Sequence, residues 1–396
     1  MPHIKVTPFP TGELDRLIGQ DPVFVFRAEA QEAENTRYGE ELLGLEFEGE
    51  AFVLEIHKRK EAWLIKPDKP TRPLDVNRIK RALTYLAERA SLEILHHNIT
   101  LSPTRPPLSE AYSKRIEDFE SPDFEGRPVA VEVGFGSGRH LLHQANAHPE
   151  ILHIGIEIHT PSAQQVLKQI ELQGLTNVWV VNYDARLLLE MLPSNVARAI
   201  YVHFPVPWDK KPHRRVISDA FVDEALRILE PEAFLELRTD SDRYYAYALE
   251  VFGRPASIRF EVNKNHEAAI RSKYEDRWQR QKKDIYTLRL YAETRSPELA
   301  REYDFSFRHP LKPIEALLDL PVKTILAPDH FVHFERRFRM VSEEGVLIKC
   351  SFGSFDRPEH KLIAVRGDRA AYYPQVPVRS ATNNRAHQTI GEFIHA

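Results

Sequence analysis

Cysteine is almost absent: Cys350 is the one thiol in 396 residues. That excludes an intrachain disulfide framework and a cysteine-based zinc site, and no metal site of another kind is expected. No apolar run approaches the roughly 20 residues that cross a bilayer. The N-terminal MPHIKVTPFPTGELD lacks the basic start and apolar stretch of a signal peptide. The expected setting is a reducing cytoplasm, with no membrane association. A strong charge of one sign is missing as well, since 54 Lys and Arg oppose 58 Asp and Glu. A polyanion would therefore meet a local patch and not a generally basic surface. Internal repeats and low-complexity segments are also lacking.

The charge that is present is unevenly spread. Residues 1–50 carry eleven acidic and four basic side chains, and residues 264–283 (KNHEAAIRSKYEDRWQRQKK) carry seven basic and three acidic. The proline-rich stretches SPTRPPL (102–108) and ESPDFEGRP (120–128) mark seams. They predict an α+β N-terminal region (1–120), an α/β domain (121–294) and a separate β-rich C-terminal domain (295–396). In the first region, 50–67 reads as a hairpin and 29–50 as acidic surface. Residues 78–97 read as a helix with Ile79, Leu83, Leu86 and Ala90 on one face.

From residue 128 short apolar runs alternate with helical stretches. PVAVEVGFG, ILHIGIEIH, VWVVNYDA, ARAIYVHFP and AFLELRTD are the strands, with helices such as SAQQVLKQIELQGL between them. This alternation predicts βαβ units and a mainly parallel, Rossmann-like sheet. IYTLRLYAE (285–293) is a late strand able to close an edge. After 295 the alternation stops and period-two strands take over.

Gly134, Gly136 and Gly138 (VEVGFGSG) follow a strand and precede a helix, where a missing Cβ lets the backbone approach a ligand. A purely structural glycine turn has the same pattern. Glu132 ends the first strand and Glu157 the second, where a carboxylate can accept from both ribose hydroxyls of a nucleoside. That suits a nicotinamide dinucleotide or S-adenosylmethionine. The spacing is G-x-G-x-G, whereas the dinucleotide fingerprint is G-x-G-x-x-G. Glu132 beside the loop would repel a pyrophosphate and suit a cationic amino-acid group. Asp184 follows the third strand, within reach of an adenine amino group. Together these favour S-adenosylmethionine.

The fourth strand runs into PVPWDKKPHRR. Pro205 and Pro207 hold the chain extended at the same sheet edge. Trp208 either packs against the sheet, the preferred reading, or stacks on a base. Lys210, Lys211, Arg214 and Arg215 are placed to meet phosphates. Asp240 ends the fifth strand, and IRSKYEDR (270–277) lies in the basic patch.

In order and spacing, E-V-G-F-G-S-G, G-I-E-I-H, F-P-x-P-W-x-K-K, R-T-D and S-K-Y-E resemble the bacterial tRNA (guanine-N7)-methyltransferases of the TrmB family. The likeness spans about residues 128–291, so the terminal regions are extensions. It implies a Rossmann-like methyltransferase core in which Glu132, Glu157 and Asp184 contact S-adenosylmethionine. It implies that Lys210, Asp240 and Ser272, Lys273, Tyr274 and Glu275 contact the guanine-bearing substrate. The partner it implies is tRNA, methylated on a variable-loop guanine (usually nucleotide 46), and no obligate protein partner is inferred. The family usually has a catalytic aspartate between the two prolines, where this chain has Val206. Asp240 is then the best candidate for supporting the chemistry, with Asp209 a weaker one. A catalytically inactive RNA-binding relative and a nicotinamide-dependent oxidoreductase remain as alternatives. Arg336, Arg337 and Arg339 invite an RNA reading of the C-terminal region, and exposed strand charges explain them equally well.

Overall fold

The computed structural model describes residues 1–31, 39–100, 111–257, 259–266, 283–299 and 302–396. Contacts divide the chain into two compact units, Leu108–Glu302 and a second assembled from Met1–Pro107 with Tyr303–Ala396.

The N-terminal segment contributes β1 (Ile4–Val6), α1 (Gly12–Leu17), β2 (Phe24–Ala30), β3 (Glu40–Phe47), β4 (Glu50–His57), β5 (Trp63–Pro67), α2 (Val76–Arg89) and β6 (Ile94–His97). The expected hairpin at 50–67 is the β4–β5 pair. β3 departs from the acidic-surface expectation, because its Leu42, Leu43 and Leu45 are buried. Gly44 on β3 lies under the Phe26 ring, where a Cβ would come within 2.3 Å of it. Helix α2 buries Ile79, Ala82, Leu83 and Leu86, as its periodicity predicts. It stops at Arg89, short of the expected 97; Ser91 turns at φ +49 and the chain pairs with β1 instead.

The central unit holds β7 (Ser113–Lys114), β8 (Val129–Val133), α3 (Arg139–Ala147), β9 (Leu152–Ile156), α4 (Thr160–Gln173), β10 (Val178–Val181), α5 (Ala185–Met191), β11 (Ala197–His203), α6 (Asp219–Ile228), β12 (Leu229–Thr239), α7 (Asp242–Phe252), β13 (Arg259–Lys264) and β14 (Tyr286–Tyr291). The sheet order is β13-β14-β12-β11-β8-β9-β10-β7. β7 to β12 run parallel, and β14 and β13 are antiparallel additions. The edge beside β14 is therefore β13, a strand the sequence did not announce. Helix starts follow local chemistry: Asp184, Ser218 and Ser241 each accept an N–H at the start of α5, α6 and α7. Gly174 ends α4 at φ +63. From β8 the chain builds outward through β9 and β10, then returns to place β11 on the other side. The carboxyl ends of β8 and β11 thus form a topological switch point, where open α/β sheets bind ligands.

The C-terminal segment adds α8 (Ile314–Leu318), β15 (Lys323–Leu326), β16 (Phe331–Met340), β17 (Gly345–Gly353), β18 (Pro358–Arg366), β19 (Arg369–Tyr373) and α9 (Ala381–Ile394). These strands do not make a separate domain, contrary to expectation. β16 pairs with β2 (Phe338↔Ala30, Met340↔Ala28), which joins both chain ends in one antiparallel sheet ordered β19-β18-β17-β16-β2-β3-β4-β5-β1-β6. Burial is the physical reason: Phe26, Ala28, Leu42 and Val53 share a core with Phe338, Met340, Leu347 and Leu362. Charge supports it, since buried Asp68 accepts from Lys349 at 2.7 Å and Glu40 pairs with Arg336. Arg339 binds Glu315 and Arg337 donates to the Leu318 carbonyl, so all three arginines have partners within this unit. Among the described residues no helix is long and apolar enough to cross a membrane.

Candidate active site

The glycine loop sits at the switch point. Gly134, Gly136 and Gly138 have φ of +70, +53 and +72, the left-handed region in which glycine is at home. Gly134 donates to the Ile156 carbonyl (2.7 Å) and Gly138 to that of Phe135 (2.8 Å). At Gly138 a Cβ would stand 2.4 Å from Val166 of α4, so close packing as well as φ requires glycine there. Glu157 reaches the loop from the end of β9. One carboxylate oxygen accepts from the Gly136 amide (2.9 Å) and the other from that of His159 (2.8 Å). Asp184 caps α5 and also accepts from the Arg186 guanidinium at 2.6 Å. Glu132, 5% exposed, pairs with His140 Nδ1 at 2.8 Å. The three acids thus stand at the carboxyl ends of three adjacent strands, as expected, each already held by a neighbour.

Behind Glu132 lies a polar cluster that sequence reasoning missed. His140 of α3 stacks edge-on with Tyr201 (4.7 Å between centroids) and His203 (4.5 Å). His203 bonds Glu236 of β12 at 2.8 Å, and Glu236 also accepts from Arg289 of β14 at 2.7 Å. Burial pushes the His140 imidazolium down, but Glu132 and Glu236 outweigh it and raise its pKa. His203 goes the other way, because burial prevails over its carboxylate. Burial would raise Glu236, yet His203 and Arg289 hold it down at about 2. The available signal was polar residues at inward positions of apolar strands, which one sequence cannot pair with partners.

After β11 the turn is tightly held. The Phe204 amide donates to the Arg238 carbonyl (2.7 Å) and the Lys211 amide to that of Trp208 (2.8 Å). Val206 is 60% exposed and Trp208 36%, which overturns the preferred reading of a packed tryptophan. The Arg214 guanidinium lies over the Trp208 ring at 5.2 Å, and Lys210, Lys211 and Arg214 are exposed. Arg215 does not join them. It is 8% exposed, donates to the Pro207 carbonyl at 2.8 Å and stacks on Tyr247 at 4.5 Å. Its charge braces the turn from beneath, so it is withdrawn from the phosphate-contact set. Asp209 lies 3.5 Å from it and serves the same brace. Asp240 follows β12, one-fifth exposed, and accepts from Lys283 at 2.9 Å. Ser272, Lys273, Tyr274 and Glu275 lie outside the described residues.

Comparison with known proteins fits this arrangement. A family model described as "Putative methyltransferase" matches residues 126–288. A tRNA (guanine-N(7)-)-methyltransferase of Helicobacter hepaticus is 35% identical over 408 residues, covering 99% of this chain and 98% of its own. Among solved structures, the aminoglycoside resistance methyltransferase NpmB1 aligns with 45% of this chain and 91% of its own, at TM-score 0.33 and 19% identity. A tRNA (guanine-N(7)-)-methyltransferase of Wolinella succinogenes is 44% identical over 358 residues, which is 90% of this chain and 91% of that one. With relatives of that name 35% and 44% identical over 99% and 90% of its length, the chain belongs to the tRNA (guanine-N(7)-)-methyltransferase family.

Proposed function

We propose that this protein transfers a methyl group from S-adenosylmethionine to N7 of a guanine in tRNA, in the variable loop, and does so in the cytoplasm. The observation that carries the reading is the glycine cradle ringed by three strand-end carboxylates, next to an exposed cationic turn. The donor set fits the cofactor. The loop at Gly134–Gly138 leaves room for a ligand close to the backbone, and the acids Glu157 and Asp184 can accept from ribose hydroxyls and an adenine amino group. Glu132 supplies negative charge for an ammonium-bearing amino-acid moiety. When bound, S-adenosylmethionine supplies an electrophilic methyl on a positively charged sulfur.

The chain's own task is then placement. Guanine N7 has a lone pair and no proton, so its attack needs no general base, and valine at 206 does not forbid the reaction. Holding two reactants in line can supply on the order of 7–11 kcal/mol. Lys210, Lys211 and Arg214 offer charge to the RNA backbone. Asp240, at the end of β12, accepts from the guanine N1–H and N2–H edge and offsets the positive charge that the purine acquires. To do so it must exchange its bond to Lys283.

The test is to incubate the protein with radiolabelled S-adenosylmethionine and tRNA lacking this modification, and to map the label. Label at N7 of a variable-loop guanine is the expected result. Binding of both ligands without transfer would instead mean an inactive RNA-binding relative, with Val206 the residue to change.

A further inference from the structure

Folding favours burial of a large aromatic side chain, and tryptophan is highly buried on average. Trp208 keeps more than a third of its surface exposed on a turn. Its backbone is held at φ +45, and that of Phe204, four residues earlier, at φ +51. Bulky L residues rarely adopt this region, and such conformations persist where the surroundings over-determine them, often at ligand sites.

The surroundings here do so. The Phe204 amide is tied to the Arg238 carbonyl and the Trp208 carbonyl accepts from Lys211. Arg215, clamped between the Pro207 carbonyl and the rings of Tyr244 and Tyr247, fixes the turn from below. The indole is therefore presented by a fixed frame. Around it stand exposed Lys210, Lys211 and Arg214, the last with its guanidinium over the ring. An aromatic face bordered by cations is the composition that binds unpaired nucleotides, because every base has a π-face and every linkage a phosphate. An apolar protein partner would have to desolvate those same cations. The turn leaves the carboxyl end of β11, the strand paired with β8 whose end carries the glycine loop.

We propose that the Trp208 indole is a stacking platform for an unpaired base of the RNA substrate, the base taking the place of the Arg214 guanidinium over the ring and Arg214 joining Lys210 and Lys211 on the adjoining phosphates. The platform rests on the RNA methyltransferase reading above and adds a residue-level contact to it.

The experiment compares wild type, Trp208→Leu and Trp208→Phe in steady-state methyl transfer to unmodified tRNA, varying RNA and methyl donor separately. Loss of a base stack predicts a KM for tRNA roughly 5- to 150-fold higher in Trp208→Leu. The KM for the donor and kcat should stay within about twofold, the signature of a contact made equally in ground and transition states. Trp208→Phe keeps a ring and should restore most of the affinity. Because only 36% of Trp208 is exposed, Trp208→Leu also loses some packing, which thermal midpoints report separately from the KM for tRNA. An unchanged KM for tRNA in Trp208→Leu overturns the platform, and so does a rise confined to the KM for the donor. If wild type itself moves no methyl group to tRNA, the enzymatic reading fails first. A platform failure would leave wild-type transfer intact.

Discussion

Alanine at Gly138 should be the most damaging of the three possible glycine-to-alanine changes in the loop. The new methyl would stand 2.4 Å from Val166 Cγ2. Val166 is fully buried within α4 and cannot swing to solvent. Overpacking of a close contact typically costs about 1–3 kcal/mol. The φ of +72 adds the left-handed penalty of a non-glycine residue, roughly 1–2 kcal/mol. The sum is about 2–5 kcal/mol. Gly134 is the internal control: its φ is +70, but nothing lies within 4 Å of the place a Cβ would take, so Gly134→Ala should cost only the backbone penalty. Urea titration followed by circular dichroism gives the two midpoints, and calorimetry with S-adenosylmethionine gives the affinity of each variant. Gly138→Ala should unfold at clearly lower urea than Gly134→Ala. Equal midpoints would mean that α4 moves aside at little cost and that packing against Val166 does not require glycine at 138.

Two further outcomes follow from the same site. Glu236 is held down at about 2 by His203 and Arg289 against the opposing effect of burial. Its contribution, on the order of 3 kcal/mol at most, is present above the ordinary carboxylate range and is lost as pH falls through that range towards about 2. Urea midpoints measured from pH 6 downward should fall less steeply for Glu236→Gln than for wild type, and parallel curves would remove Glu236 from the acid limb. Asp240→Ala should lower methyl transfer by about 100-fold or more, by analogy with the loss of one electrostatic contact to a transition state. Calorimetric affinity for the methyl donor should be little changed, and near-normal turnover would take Asp240 out of the site.

The α/β core and its ligand edge were legible because their signals are local. Alternating apolar runs and helical stretches define βαβ units, and a glycine triplet between strand and helix needs only a few neighbouring residues to be recognised. The end of α2 was less legible, since pairing of Ile94–His97 with β1 overrides a continuing helical pattern.

Local sequence thus sets the alternation of strands and helices from β8 to β12, the glycine loop and the acids beside it, together with the cationic turn. Tertiary structure alone sets which residues meet across long separations. It joined the chain ends through β2 and β16, because the apolar faces of both segments need one shared core. It buried Arg215 and exposed Trp208, whose places depend on Tyr244, Tyr247 and the Pro207 carbonyl together. It also gathered His140, His203, Glu236 and Arg289 from one helix and three strands. The physical reason is that burial makes a polar group depend on its partner, and partners across a sheet are set by strand order and register, which no single stretch of sequence contains.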